Sequence, residues 1–126
     1  MAYLGPVMQW ELYDADLEPS VGRGQGGINR PVLIASNDGF NKLFDVVTVL
    51  PLTKQEGKQR SVFPFEVLLA AGEAGNRLDS IVMPQQIRTI SKARLLKRVG
   101  MLSNHDKRRE IEDRILDHLG IALDEG

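Results

Sequence analysis

Only one stretch of this chain has the apolar spacing of a helix that buries one face, and it comes last. Beyond Ser103, Ile111, Ile115 and Leu119 recur at four-residue intervals with Leu116 beside them. Ser103 and Asp106 have the spacing of a capping box, with Asp where Glu or Gln is usual. Glu110 and Arg114 are placed for a favourable i,i+4 pair, and Gly120 stands where a left-handed C-terminal cap is expected. Everything upstream is broken at short intervals by glycine, proline and turn residues, which leaves room for strands.

Met8–Leu12 alternates, with Trp10 and Leu12 on one face, and reads as a half-buried strand; Asp14–Pro19, which follows, is acidic and ends in proline. Gly22–Gly27 holds four glycines in six positions and is a flexible loop. Val32–Ala35 is a buried strand, closed by the turn residues Ser36–Gly39. Val46–Leu52 is the next, with Pro51 placing its end near a sheet edge. After the polar hairpin loop Lys54–Arg60 come further strands at Phe63–Leu69 and Asp79–Met83, separated by the loop Gly72–Arg77. Gln86–Ile90 is extended, Ser91–Leu96 a single helical turn, and Arg98–Leu102 the final strand. Short strands followed by one amphipathic helix predict a mainly β, partly open barrel with the helix packed on it, because closure hides strand edges. At 126 residues the chain is expected to be one domain spanning 1–126.

The 16 basic and 17 acidic residues nearly cancel, so nucleic acid cannot be held by bulk charge and would need a local patch. The charge is nevertheless segregated. Glu11, Asp14, Asp16 and Glu18 crowd the N-terminal part, while Arg88, Lys92, Arg94, Lys97 and Arg98 form a run without acids. Lys54, Lys58 and Arg60 add a second basic group. Such runs are either solvated surface or a track for phosphates, and Arg60 and Arg88 lean to the second. The absence of cysteine excludes disulfides, cysteine-ligated zinc and a thiol nucleophile, and it fits a reducing compartment. His105 and His118 are the only histidines and belong to the helix, so no histidine metal site is expected. No signal peptide and no membrane span are read, and a cytoplasmic location is expected. The glycine loop lacks Gly-Lys-Ser/Thr and leads into a strand, which disfavours a nucleotide-binding P-loop.

Several segments, taken in order, resemble the MazF/PemK/Kid family of toxins. They are Asp16–Pro19, Gln25–Gly26, Arg30–Ile34 with Ser36–Asp38, Val49–Thr53, Pro64–Val67, Gln86–Ile90, and Leu102–Ser103 before the helix. The resemblance spans about residues 7–120. It implies an SH3-like barrel of the MazF/Kid/CcdB type and a homodimer. It also implies a metal-independent, cofactor-free endoribonuclease that cleaves single-stranded RNA and is neutralised by a cognate antitoxin. Related barrels of the CcdB group instead poison DNA gyrase, and a barrel that only binds is the other alternative.

Cleavage without a metal uses the substrate's own 2′-hydroxyl, which must be held in line with the departing 5′-oxygen while charge grows on the phosphoryl oxygens. An arginine fork suits that charge, with a hydroxyl as supporting donor. By the resemblance, Arg30 and Thr53 are the catalytic pair, and Arg23, Gln25, Lys58, Arg60, Gln86 and Arg88 are RNA-binding. Gly24 and Gln85 stand where relatives carry acids, and Arg23 where some carry histidine. The glycine loop is one residue longer, around Ile28–Asn29.

Overall fold

In the computed structural model, which describes residues 3–19, 26–55 and 60–123, seven strands form one antiparallel sheet. They are β1 (Glu11–Ala15), β2 (Arg30–Ile34), β3 (Val46–Lys54), β4 (Val67–Leu69), β5 (Ser80–Val82), β6 (Arg88–Ser91) and β7 (Leu95–Met101). Two helices join them, α1 (Asp38–Leu43) and α2 (His105–Leu119). The order across the sheet is β4-β5-β3-β2-β1-β7, with β6 also on β3. The fold is thus mainly β and partly open, with a C-terminal helix.

Both faces of the central strands are buried, which is why their sequences run apolar rather than alternating. Leu12, Leu33, Leu50 and Leu52 face one core with Trp10, Val67, Leu69, Val82, Leu102 and Ile111 of α2. Tyr13, Ala15, Val32, Ile34, Val47 and Val49 face a second core with Val7, Leu17, Ile90 and Leu95. Of the helical stripe, Ile111 is fully buried and Ile115 packs on the first core, but Leu119 is exposed.

Several elements differ from the sequence expectation for identifiable reasons. Trp10 and Leu12 do share a core, but a turn closed by the Glu11 amide on the Met8 carbonyl puts Trp10 at φ 72°. The strand therefore starts at Glu11 and runs to Ala15, three residues past the expected end at Leu12. Pro51 is buried inside β3, not at an edge. It stands where β3 exchanges β6, paired at Val46–Val49, for β5, paired at Leu52–Lys54, so its missing N–H falls at a gap. Asn37 accepts from the Phe40 amide and caps α1, where only a turn was expected. Phe63–Glu66 is a turn, and the strand begins at Val67. α2 is capped by Asn104, whose side chain accepts from the Lys107 amide, rather than by Ser103. Glu110 pairs with Lys107 at 3.7 Å and not with Arg114. Gly120 takes the expected left-handed cap at φ 69°.

The segregated charge serves strand pairing. β1 lies antiparallel to β7, with Asp14 opposite Lys97. The Arg98 guanidinium donates to buried Glu11, and that of Arg94 to the Asp16 and Glu18 carbonyls. Arg94 and Arg98 are thereby turned to the acidic segment rather than to a phosphate track.

No ladder joins the edge strands β4 and β7, but backbone contact narrows the gap between them. The turn after β4 lies directly on β7: a Cβ at Gly100 would stand 2.2 Å from the Ala74 carbonyl oxygen, and one at Gly75 2.7 Å from that of Val99. Gly100→Ala should therefore destabilise the fold by about 1–3 kcal/mol, the usual range for overpacking, and lower the thermal midpoint. The nearby Gly72→Ala, with no atom within 4 Å of its Cβ but φ +91°, should cost only the backbone strain.

Candidate active site

Arg30 opens β2, where it pairs with Ala15 of β1 and is half-buried. β2 and β3 are in register through Val32 and Pro51. Continued by two residues, that register sets Arg30 opposite Thr53, which β5 holds from the other side through Ile81. Side chains alternate along a strand, so Arg30 and Thr53 share the face of Val32 and Val49. Arg88 pairs with Val49 and belongs to the same face. Gln86 ends the single 3₁₀ turn Pro84–Gln86 just before β6, and both residues are half-buried. The sheet thus brings together Arg30, Thr53 and Arg88, three donors able to face a phosphodiester. Arg23, Gln25 and Lys58 lie outside the described residues, as does Gly24.

Gly27 was not singled out by the sequence beyond its place in a glycine run. Its φ is +108°, its carbonyl accepts from the Leu17 amide, and its absent Cβ would lie 3.0 Å from Arg30 Cδ. The stem of Arg30 thus occupies the space that any other residue at 27 would fill. Positive φ three residues before Arg30 has no signature in a single sequence when four glycines crowd one loop.

Arg60 is committed to an ion pair. Its guanidinium donates to both oxygens of Glu66, at 2.9 and 2.8 Å, and Glu66 also accepts from the Phe63 amide at 3.1 Å and from Gln85 Nε2 at 2.7 Å. The Glu66 side chain is wholly buried, while that of Arg60 remains 34% exposed. This accounts for Gln85: an acid there would face the Glu66 carboxylate. Gln55 Nε2 in turn donates to the Arg60 carbonyl, so the turn is tied down two residues beyond Thr53 and one before Gln86. Among the described residues, no three His, Asp or Glu gather where a metal ion could sit, and no helix is long and apolar enough to cross a membrane.

Burial alone would push the Glu66 carboxyl up. The hydrogen bonds from Arg60, Gln85 and the Phe63 amide outweigh it and hold the group below the ordinary carboxylate value. A depressed folded pKa means that the unfolded chain binds the proton more readily. Its stabilisation is therefore complete above the ordinary value of about 4.3 and is lost as pH falls through the folded value. Glu66→Gln should cost about 2 kcal/mol at pH 7, and the gap to wild type should narrow below about pH 4 in thermal unfolding.

The model of a PemK-like, MazF-like toxin of type II toxin–antitoxin systems matches residues 8–119. The endoribonuclease EndoA of Bacillus subtilis is 36% identical over 117 residues, 93% of this chain and 94% of that protein. Among solved structures, MazF from Deinococcus radiodurans superposes with a TM-score of 0.77 at 22% identity, covering 93% of this chain and 99% of its own. An endoribonuclease in complex with its cognate antitoxin, from a mycobacterial species, gives 0.72 at 21% identity over 96% of this chain and 100% of its own.

Proposed function

Because this chain belongs to the PemK-like, MazF-like toxins of type II toxin–antitoxin systems, we propose that it is an endoribonuclease toxin that cuts single-stranded RNA without a metal, through Arg30 and Thr53. The observation that carries the site assignment is the β2–β3 register, which sets these two side chains across from each other on one sheet face.

In this reaction the 2′-oxygen attacks the adjacent phosphorus, the P–O5′ bond breaks, and a 2′,3′-cyclic phosphate and a 5′-hydroxyl result. One proton leaves the 2′-hydroxyl and one reaches the 5′-oxygen. Arg30 offsets the charge that develops on the phosphoryl oxygens through its two parallel N–H donors. Its stem is confined beside Gly27, so little reorganisation is needed when that charge appears. The Thr53 hydroxyl is the second donor, and it is neutral. Arg88, Gln86 and the glycine-loop residues Arg23 and Gln25 hold the strand on either side, with Lys58 beyond Thr53. Gly24 and Gln85 take no part in proton transfer. The Gln85 side chain has another task, at Glu66.

The protein works in the cytoplasm, as one domain spanning residues 1–126, and pairs as a homodimer that lines each RNA groove from both subunits. The cognate antitoxin occupies the same groove, since a protein seated there excludes RNA. Light scattering at micromolar concentration should give twice the chain mass, and a monomer would count against the shared groove.

Mixed single-stranded RNA should be cut in EDTA to cyclic-phosphate ends. Abolition by EDTA with rescue by Mg²⁺, or 5′-phosphate products, would rule the route out. Arg30→Ala should lower the single-turnover rate at saturating enzyme by roughly 10² or more, and Arg30→Lys should not restore it. Thr53→Ala should lose less, because a neutral donor contributes less than a charged one. Gly27→Ala should slow cleavage in a folded protein by displacing Arg30. Near wild-type cleavage by folded Arg30→Ala would remove Arg30 from the mechanism.

A further inference from the structure

Two phenylalanines stand in the open beside the site. Phe63 is 49% and Phe65 43% exposed, and their rings stack at 5.3 Å between centroids with 14° between planes. The Arg60 guanidinium lies over the Phe63 ring, 5.3 Å from its centroid. Among the described residues Phe65 stacks on Phe63 alone. Apolar rings of this size are ordinarily drawn into a core. Here a core is close at hand, since Val67 of the same segment is buried in it.

The rings are kept out by the mount beneath them. The buried Glu66 carboxylate binds Arg60, the Phe63 amide and Gln85 together, which fixes the turn from both ends. Pro64 between the rings removes backbone freedom as well. The result is a stack of flat groups, capped by the ion-paired Arg60 guanidinium and presented by a turn tied down at Gln55 and Gln85. Those two anchors adjoin Thr53 and Gln86.

We propose that the Phe65 ring is a stacking platform for a nucleobase of the bound single-stranded RNA, next to the scissile phosphate. The inference rests on the RNA-cleaving reading above and adds to it a residue that binds a base. Three observations favour a base over an apolar protein segment. The rings are already parallel, as a base stack is. The surroundings are polar through Gln55, Gln85 and the Arg60–Glu66 pair, whose guanidinium lies over the Phe63 ring, which suits a nucleotide better than an apolar segment. The turn is anchored at Gln55 and Gln85, two residues beyond Thr53 and one before Gln86. Because every base has a π-face, the platform supplies affinity and positions the strand rather than spelling a sequence.

The test compares Phe65→Ala, Phe65→Leu and Phe65→Trp in the full chain, with thermal unfolding to confirm the fold. One arm measures equilibrium binding of a mixed-sequence 2′-O-methyl RNA, which lacks the attacking hydroxyl. The other measures single-turnover cleavage of unmodified RNA. Phe65→Ala and Phe65→Leu should each weaken binding about tenfold or more, and Phe65→Trp should stay within about threefold of wild type. In cleavage the loss should appear mainly in the enzyme concentration for half-maximal rate, not in the plateau.

Wild-type binding by Phe65→Leu would show that bulk, not stacking, is what matters, and would overturn the proposal. So would unchanged binding by Phe65→Ala, or conversion of Phe65→Ala to a monomer in light scattering, which would assign the ring to a second copy of the chain. The two readings fail separately. If wild type binds RNA without cutting it and Phe65→Ala weakens that binding, the platform stands and the nuclease falls. If wild type cuts and the variants bind alike, only the platform falls. If wild type neither binds nor cuts, both fall.

Discussion

β3 exchanges partners partway along one edge, from β6 at Val46–Val49 to β5 at Leu52–Lys54, while β2 holds its other edge. The exchange needs a residue with no N–H to leave unpaired, and Pro51 supplies it inside a nine-residue strand. Each of the strand-borne donors is placed by one of these pairings. Thr53 is on β3, Arg30 is set by β2, and Arg88 by β6. A slip of one residue in any of them would turn the side chains concerned to the opposite face. The apolar side chains on both faces of β3 make such a slip expensive, because each would be moved into the wrong core.

The strands that carry the site were legible because their signals are local. Val32–Ile34 and Val46–Leu52 are β-branched and apolar, and the positions of Arg30 and Thr53 at their ends followed from that together with the family resemblance. The elements that were misread depend on contacts distant in sequence. Phe63–Glu66 looks like strand by composition, yet the Arg60 and Gln85 donors draw Glu66 inward and the backbone turns to meet them. Trp10 adopts positive φ because its amide reaches the Ile34 carbonyl while its own carbonyl accepts from the Leu102 amide. The helix cap moved from Ser103 to Asn104 because either residue type can cap and spacing alone does not choose between neighbours.

Charge shows the same limit. Read along the chain, Arg60, Arg88, Arg94 and Arg98 all belong to basic runs, of which Arg60 and Arg88 lean to a phosphate track. In the fold, Arg60 and Arg98 bind the buried carboxylates Glu66 and Glu11, and Arg94 binds backbone carbonyls of the N-terminal segment. By contrast, among the described residues the side chains of Lys54, Arg77 and Lys97 enter no ion pair, and they line a cleft of about 750 Å³ with Asp14 and Asn76. Arg60, Arg94 and Arg98 thus serve internal contacts, and a near-zero net charge coexists with a local cluster of basic side chains at the cleft.

These divisions assign chemistry and selection to different kinds of backbone. In-line attack tolerates little displacement, and the donors proposed for it, Arg30 and Thr53, sit on strands whose positions are fixed by pairing on either side. Grip on the rest of the strand tolerates more, and the ring proposed for it, Phe65, lies on a turn instead of a strand. Buried Glu66 ties that turn down, although the ladder does not reach it. A loop that only had to avoid obstructing substrate would not need a buried carboxylate with four hydrogen bonds beneath it. The carboxylate makes sense if what the turn presents must arrive at a set distance from Thr53. On the proposal that Phe65 stacks on a base, the aromatic turn belongs with the strand-borne donors.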